Sequence, residues 1–526
     1  MMNVQLIAQI NNKLLALLLL VSTSSAFASE LALIDAARQS SSETVQALLA
    51  EGADPNLSQP DGATALHWTV HRADSDSVAA LLTAGADVNT TNRMGASPLF
   101  IAARNGDAGL IAQLLEAGAN PNLELKMGET ALMSAARAGT AEGIRLLVDA
   151  GAKVDVREQS RHQTALMWAA AQGHVAAAKE LIRAGADLEA RSKVRPMLMF
   201  ADASNGGAFD HTITENLGGY SPLLFAALND NTEMVQLLLD AGADIDGEAG
   251  NATTPLVVAT HSGNTRVAVM LLEEGADPDA IGAGYNSLHA AILRGDQKVV
   301  SALLQHGANP NVRVKKATPT QRASEVWALR TRHIGATPYW LAAFFREPAI
   351  MRNLIAQGAD PLLTNQEQYE RLRDRESRDN PPSPDQRKVV GGFASTLQAA
   401  ILGDSDRDRF YTTPYPDPVG EERLALETVI VAAEHGIDVN HTDYTDSTAL
   451  HYAAARNFPT VIKELAEQGA DINAVNTNGQ TPLDIAILME NTVDFFNFDL
   501  VDKPGPKPSE VLVGFGAVMS DFEGAP

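Results

Sequence analysis

Residues 164–187 read TALMWAAAQGHVAAAKELIRAGAD, and variants of this stretch recur along the chain. Its closing phrase, Gly-Ala-Asp or a near copy, begins at Gly52, Gly85, Gly118, Gly151, Gly185, Gly242, Gly275, Gly307, Gly358, Gly436 and Gly469. The first four intervals are about 33 residues. Its opening phrase keeps step at Thr64-Ala65-Leu66-His67, Ser97-Pro98-Leu99, Thr130-Ala131-Leu132, Ser221-Pro222-Leu223 and Thr254-Pro255-Leu256. Later copies are Asn286-Ser287-Leu288-His289, Thr337-Pro338-Tyr339, Thr448-Ala449-Leu450-His451 and Thr481-Pro482-Leu483. Two phrases in register over so many copies mean one supersecondary unit repeated.

Each unit has a physical reading. The opening hydroxyl accepts from the free N–H groups of a helix's first turn. Proline next to it suits the first helical position, which has no N–H partner to lose. A short Ala-rich helix follows, then a turn such as Asn105-Gly106-Asp107 or Gln172-Gly173-His174. A second helix carries apolar residues at helical spacing, for example Met234, Leu237 and Leu238. The Gly of Gly-Ala-Asp ends it, because glycine enters the left-handed region at little steric cost. The Asp sits where the chain turns and can bond nearby N–H groups. About ten extended residues, such as Asp87–Met94, lead into the next copy.

This pattern resembles the ankyrin repeat family over residues 31–487, from a first unit at Leu31–Asn56 to a last one opening at Gly479. The resemblance implies an all-α solenoid of helix–turn–helix units with short β-hairpin fingers, about twelve units with loop insertions. It also implies that His67, His289 and His451 bridge backbone groups between repeats. Exported bacterial members resemble it more closely still, through Thr164–His174, Gly335-Ala336-Thr337-Pro338 and Glu421–Glu427. Each unit of a solenoid buries its faces against neighbours, so the 526 residues are expected to form one elongated domain, divided into lobes at its insertions.

The N-terminus departs from the repeat. Lys13, the apolar run Leu14–Val21 and Ala26-Phe27-Ala28 form a secretory signal pattern over residues 1–28, with cleavage expected after Ala28. The run is too short to span a bilayer, and no later segment looks transmembrane. The protein is therefore expected in the periplasm or secreted, without membrane insertion after cleavage. The chain has no cysteine, which excludes disulfides, thiolate metal sites and cysteine nucleophiles. Its formal charge is −25, and Lys13 is the sole charged residue of the first 28, so cleavage leaves −25 − 1 = −26. That argues against nucleic-acid binding and favours a partner with a basic surface.

Four stretches break the period. Repeats at 29–192 are followed by an insertion at 193–218, whose Met197–Phe200 either docks on the repeats or meets a partner. Repeats at 219–365 contain a locally basic insertion near 313–335, with Arg313, Lys315, Lys316, Arg322, Arg330 and Arg332. That cluster reads as a solvated loop or as a receiver for an anionic group. A charged, Pro-rich insertion follows at 366–392, and the repeats of 393–489 hold another at 404–422. Residues 490–526 read as a C-terminal cap and tail, with Val511-Leu512-Val513 returning as a short outer helix over the last unit.

Catalytic signatures are missing. There is no His-Glu-x-x-His, EF-hand, phosphate loop, nucleophile elbow or dinucleotide fingerprint. Asp202, Asp210 and His211 lack the spacing of metal ligands, and no catalytic residue, metal or cofactor is assigned. The resemblance places one row on the inner helices, facing a concave surface: Trp68, Ile101, Ser134, Trp168, Phe225, Val258, Ala290, Leu341, Ala399, Tyr452 and Ile485. Candidate partner-binding residues are Trp68, Ile101, Trp168, Phe225 and Tyr452, with Arg93, Met94, Lys126, Arg157 and Arg161 on the finger rim. Large aromatics there read as binding hot spots or as packing between helices. The expected function is a monomeric, non-catalytic protein-binding module or scaffold of the bacterial cell envelope. The alternatives are an inhibitor or immunity factor masking an enzyme or toxin and, more weakly, an enzyme using 193–218.

Overall fold

The computed structural model describes residues 32–200, 212–316, 329, 333–365, 368–369, 389–391, 394–403, 418–491 and 505–520. It divides into two compact units, residues 1–193 with 219–244, and residues 194–218 with 245–526. The insertion at the first break belongs to the second unit, and the repeat residues 219–244 that follow it belong to the first.

Both units are built from helix pairs. In the first, the inner helices are Ala32–Arg38, Ala65–His71, Pro98–Asn105, Ala131–Ala138, Ala165–Gln172 and Pro222–Leu228. In the second they are Pro255–Ser262, Ser287–Arg294, Pro338–Phe344, Thr396–Leu402, Ala449–Ala455 and Pro482–Asn491. An outer helix follows each, from Ser42–Ala50 to Pro459–Glu467 and finally Pro508–Gly514. This is an all-α solenoid with twelve helix pairs among the described residues. Buried alanines such as Ala135, Ala136, Ala169 and Ala170 let inner helices approach closely. Outer helices bury one stripe each. In Thr232–Asp240 that stripe is Met234, Val235 and Leu238, with Leu237 only half-buried.

The capping chemistry follows the sequence. Ser97 Oγ accepts from Phe100 N at 3.2 Å, Thr130 Oγ1 from Met133 N at 3.3 Å, and Thr337 Oγ1 from Trp340 N at 3.3 Å. All eleven Gly-Ala-Asp glycines have positive φ, from 75° at Gly436 to 95° at Gly242 and Gly275. The aspartates close turns: Asp87 Oδ1 accepts from Asn89 N, and Asp471 Oδ1 from Asn473 N. The fingers are short. Isolated bridges pair Ser58 with Thr64 and Glu124 with Thr130, and Arg93 N, Lys126 N and Gln159 N each donate to the preceding finger.

The three histidines act as repeat-to-repeat staples. His67 Nδ1 accepts from Thr64 N at 3.1 Å, while Nε2 lies 3.0 Å from Ala96 O of the next unit. His289 and His451 repeat this with Val312 O and Gln480 O, each at 3.1 Å. Burial lowers the pKa of all three, that of His289 to about 4. Gln398 takes the same position in its unit. Its Oε1 accepts from Ser395 N at 2.7 Å, and its Nε2 donates to Ser447 O at 2.7 Å.

The interruptions have structures of their own. Arg195–Phe200 pairs antiparallel with Thr212–Leu217, from Arg195 opposite Leu217 to Phe200 opposite Thr212. Met197 is 43% exposed and so is not buried against the repeats. The buried Glu215 of this hairpin forms an ion pair with Lys316, and Gly250 N donates to Gly218 O. Arg313 donates to Gly335 O at 2.5 Å and Thr364 O at 2.8 Å. In the basic stretch these two cations are thus engaged within the fold. Arg322, Arg330 and Arg332 lie outside the described residues. Gln368–Tyr369 pairs with Val389–Gly391. Residues 418–422, read from sequence as part of the insertion 404–422, are helical: Pro418–Ala433 is a sixteen-residue outer helix. Buried Glu422 accepts there from Thr460 N and Oγ1. Near its start Glu421 meets Arg346, whose side chain is fully buried. Arg346 also donates to Ala400 O, Ile401 O and Gly403 O at 3.1, 3.2 and 2.6 Å. Pro508–Gly514 lies over the last repeat, with Leu512 buried and Ser509 bonded to Glu490.

Candidate functional site

Every residue of the candidate row is the fourth of its inner helix, so the row is a property of the repeat. Its exposure differs from unit to unit. In the first compact unit Trp68, Trp168 and Phe225 are half-buried, whereas Ile101 (7% exposed) and Ser134 are buried. In the second, Tyr452 and Ile485 are half-buried, and Val258, Ala290, Leu341 and Ala399 are buried. Small or branched side chains at this position disappear between neighbouring helices, except Ile485 in the last inner helix. A ring is too long to do so and leaves part of its area open.

The rings are held by their surroundings. The Arg38 guanidinium lies 5.2 Å from the Trp68 ring centroid, and that of Arg137 lies 4.8 Å from Trp168. In both cases the arginine comes from another inner helix, and such contacts fix ring orientation as well as adding attraction. Trp68 Nε1 also donates to Gln59 Oε1 at 3.2 Å. Trp168 Nε1 is buried without a hydrogen-bond partner. Phe225 meets Tyr220 edge-on at 5.5 Å. The Tyr452 hydroxyl donates to Asp443 Oδ2, and burial followed by that contact pushes its pKa up.

Arg93, Met94, Lys126, Arg157 and Arg161 are all exposed on fingers of the first unit, Met94 to 65%. Arg157 lies 3.7 Å from Asp187. Glu158, buried at the base of its finger, accepts from Ser160 N, Arg161 N and Gln163 N, which shapes the turn carrying Arg161. Among the described residues no group of three or more His, Asp or Glu side chains could hold a metal ion. Asp202, Asp210 and His211 lie outside them. No described helix is long and apolar enough to cross a membrane.

Sequence reading missed a polar ladder formed by asparagines two residues beyond five of the Gly-Ala-Asp phrases. Asn56 Nδ2 donates to Gly85 O while its Oδ1 accepts from Asp87 N. Asn89 and Asn122 do the same one repeat further on, as do Asn311 and Asn440 in the second unit. The signal was present as a recurring Asn after Asp-Pro, Asn-Pro or Asp-Val. Its partner, a backbone one repeat away, was not.

The family description "Ankyrin repeats (3 copies)" matches residues 33–125, 99–192, 198–282 and 223–314, and "Ankyrin repeats (many copies)" matches 431–486. The putative ankyrin repeat protein FPV230 of fowlpox virus (strain NVSL) is 25% identical over 205 residues, which is 38% of this chain and 91% of that protein. The ankyrin repeat domain-containing protein OPG023 of cowpox virus (strain Brighton Red) is 31% identical over 101 residues, 19% of this chain. Protein fem-1 homolog A-like of Mus musculus is 35% identical over 77 residues, 14% of this chain. The chain spans 15% of the cowpox protein and 12% of the mouse protein. Among solved structures, the human ASB11 ankyrin repeat domain is similar at 25% identity, covering 47% of this chain and 98% of that one, with a TM-score of 0.38.

Proposed function

Because the chain belongs to the ankyrin repeat family, we propose that it is a non-catalytic protein-binding module or scaffold of the bacterial cell envelope. It engages a protein partner through its inner-helix face and hairpin fingers. The observation carrying this reading is the set of half-buried rings, Trp68, Trp168 and Phe225, held by neighbouring side chains with an open face. Rings held in place lose little entropy on binding, which is the behaviour of hot-spot residues. Export rests on the pattern of residues 1–28, with Ser29 as the first residue of the mature chain.

The test is a tagged chain captured from the periplasmic fraction, with partners identified and affinity measured by calorimetry. Trp168→Ala with Phe225→Ala weakens the complex by about 2–4 kcal/mol and leaves helix content intact. Loss of helix content with unchanged affinity would assign the rings to packing. A protein recovered only in the cytoplasm with its N-terminal residues retained would refute the export reading.

A further inference from the structure

The net charge favours a basic partner, yet the inner helices of the first compact unit carry the opposite charge. The seventh residues of its first four inner helices are Arg38, His71, Arg104 and Arg137, at intervals of 33 residues. Arg72 follows His71 directly, and its Nε donates to Arg38 O at 3.1 Å. The seventh position stands one turn beyond the fourth, on the same helix face as Trp68 and Trp168. Asp35, 3.7 Å from Arg38, is the sole Asp or Glu in the six inner helices of this unit.

The arginines on the outer helices of the same unit behave differently. Arg145 is bonded to Glu142 and Asp149, and Arg183 to Glu180. Among the described residues, Arg72, Arg104 and Arg137 have no carboxylate partner, nor do Arg93 and Lys126 on the fingers. In a chain with 65 acidic and 40 basic residues, cations are thus left unneutralised on one face. The row stops within this unit, whose last two inner helices carry Ala171 and Leu228 at the seventh position. The corresponding positions in the second are His261, Leu293, Phe344, Leu402, Ala455 and Leu488.

We propose that the row Arg38, Arg72, Arg104 and Arg137, with Trp68 and Trp168 beside it, is a docking groove for an extended acidic polypeptide segment. The assignment rests on the binding-module reading and names the chemistry of the partner. Packed helices lie about 8–10 Å apart, and a segment extended as polyproline II rises about 3.1 Å per residue with three residues per turn. Carboxylates at every third position of such a segment share one face, about 9 Å apart, and therefore meet successive arginines. Arg38 and Arg137 already lie over tryptophan rings, which orients their guanidiniums and leaves N–H edges free for carboxylate oxygens. A protein segment is favoured over nucleic acid because the charge of the rest of the chain repels a long polyanion, while a short segment contacts only the row. That repulsion is screened beyond about 8 Å at physiological salt.

The experiment uses the chain lacking residues 1–28 and fluorescein-labelled peptides read by anisotropy. One peptide has Glu at every third position with Tyr and Ser between; a second has the same composition scrambled; a third replaces Glu by Gln; a fourth arm is single-stranded DNA. The first binds tightest, and Arg104→Gln with Arg137→Gln weakens it by about tenfold per arginine removed. Circular dichroism verifies that the exposed substitutions leave the fold unchanged. Equal binding of the Gln peptide, tighter binding of DNA, or indifference to the two substitutions overturns the proposal. A periplasmic partner whose capture ignores Arg104→Gln and Arg137→Gln also overturns it, and leaves the binding-module reading standing. Capture of no protein, with none of the peptides bound, overturns both readings.

Discussion

His289→Gln separates the structural staple from its titration. The imidazole is fully buried, and burial lowers its pKa from 6.5 to about 4. Folding therefore requires the neutral ring, with Nδ1 accepting from Asn286 N and Nε2 bonded to Val312 O. Above pH 6.5 both folded and unfolded chains hold it neutral, and its full contribution is present. Between 6.5 and about 4 the unfolded chain binds a proton that the folded chain does not, so stability falls as pH falls. The shift of 6.5 − 4 is worth about 3 kcal/mol at 1.36 kcal/mol per unit, or about 300-fold in a local opening constant. Gln at this position keeps one acceptor and one donor, as Gln398 already does with Ser395 N and Ser447 O. Repeat proteins open unit by unit, so the measurement is hydrogen exchange of helix Ser287–Arg294, corrected for the intrinsic rate at each pH. Native chain loses protection steeply from pH 6.5 to 4; His289→Gln changes little at pH 7 and loses most of that slope. An unchanged slope in the variant would refute the assignment of acid sensitivity to this ring. A large loss of protection at pH 7 would refute the equivalence of Gln and His.

Arg346→Ala removes a buried cation from Glu421 and three carbonyls, and is expected to cost about 3–5 kcal/mol; thermal melting and exchange at Thr396–Leu402 measure it. Gly403→Ala would drive its methyl into the Phe344 backbone, where no flexible side chain can give way. It should destabilise by about 1–3 kcal/mol, read as an earlier unfolding transition by circular dichroism. Trp68→Phe loses the bond to Gln59, whereas Trp168→Phe removes a buried donor that has no partner. The first should therefore be the costlier by about 1–2 kcal/mol in urea titration.

Repeat length, helix pairing, caps and helix stops were all legible in residues 164–187 and their copies. Each depends on a residue and its neighbours within one or two turns: Ser97 and Phe100 N, or the positive φ of Gly185. The staple role of His67, His289 and His451 was legible through family resemblance, because the bond crosses to the next copy of the same pattern. The Asn ladder was visible as a recurrence but not as a contact. In the candidate row, sequence located the positions and could not say which were open. Exposure there depends on whether the neighbouring helices close over the side chain, as they do over Ile101 and Leu341 and do not over Trp168.

By itself the sequence determined the repeating helix pair, because local hydrogen bonding and apolar spacing recur in register through each unit. The tertiary structure alone decided which side chains of neighbouring units the inner-helix cations meet and which rings stay open. Arg145 and Arg137 are the same residue type in adjacent helices. One finds Glu142 and Asp149 on its own helix, and the other finds a tryptophan on a neighbouring inner helix. The net charge sums over both, whereas the inner-helix face carries only Arg137.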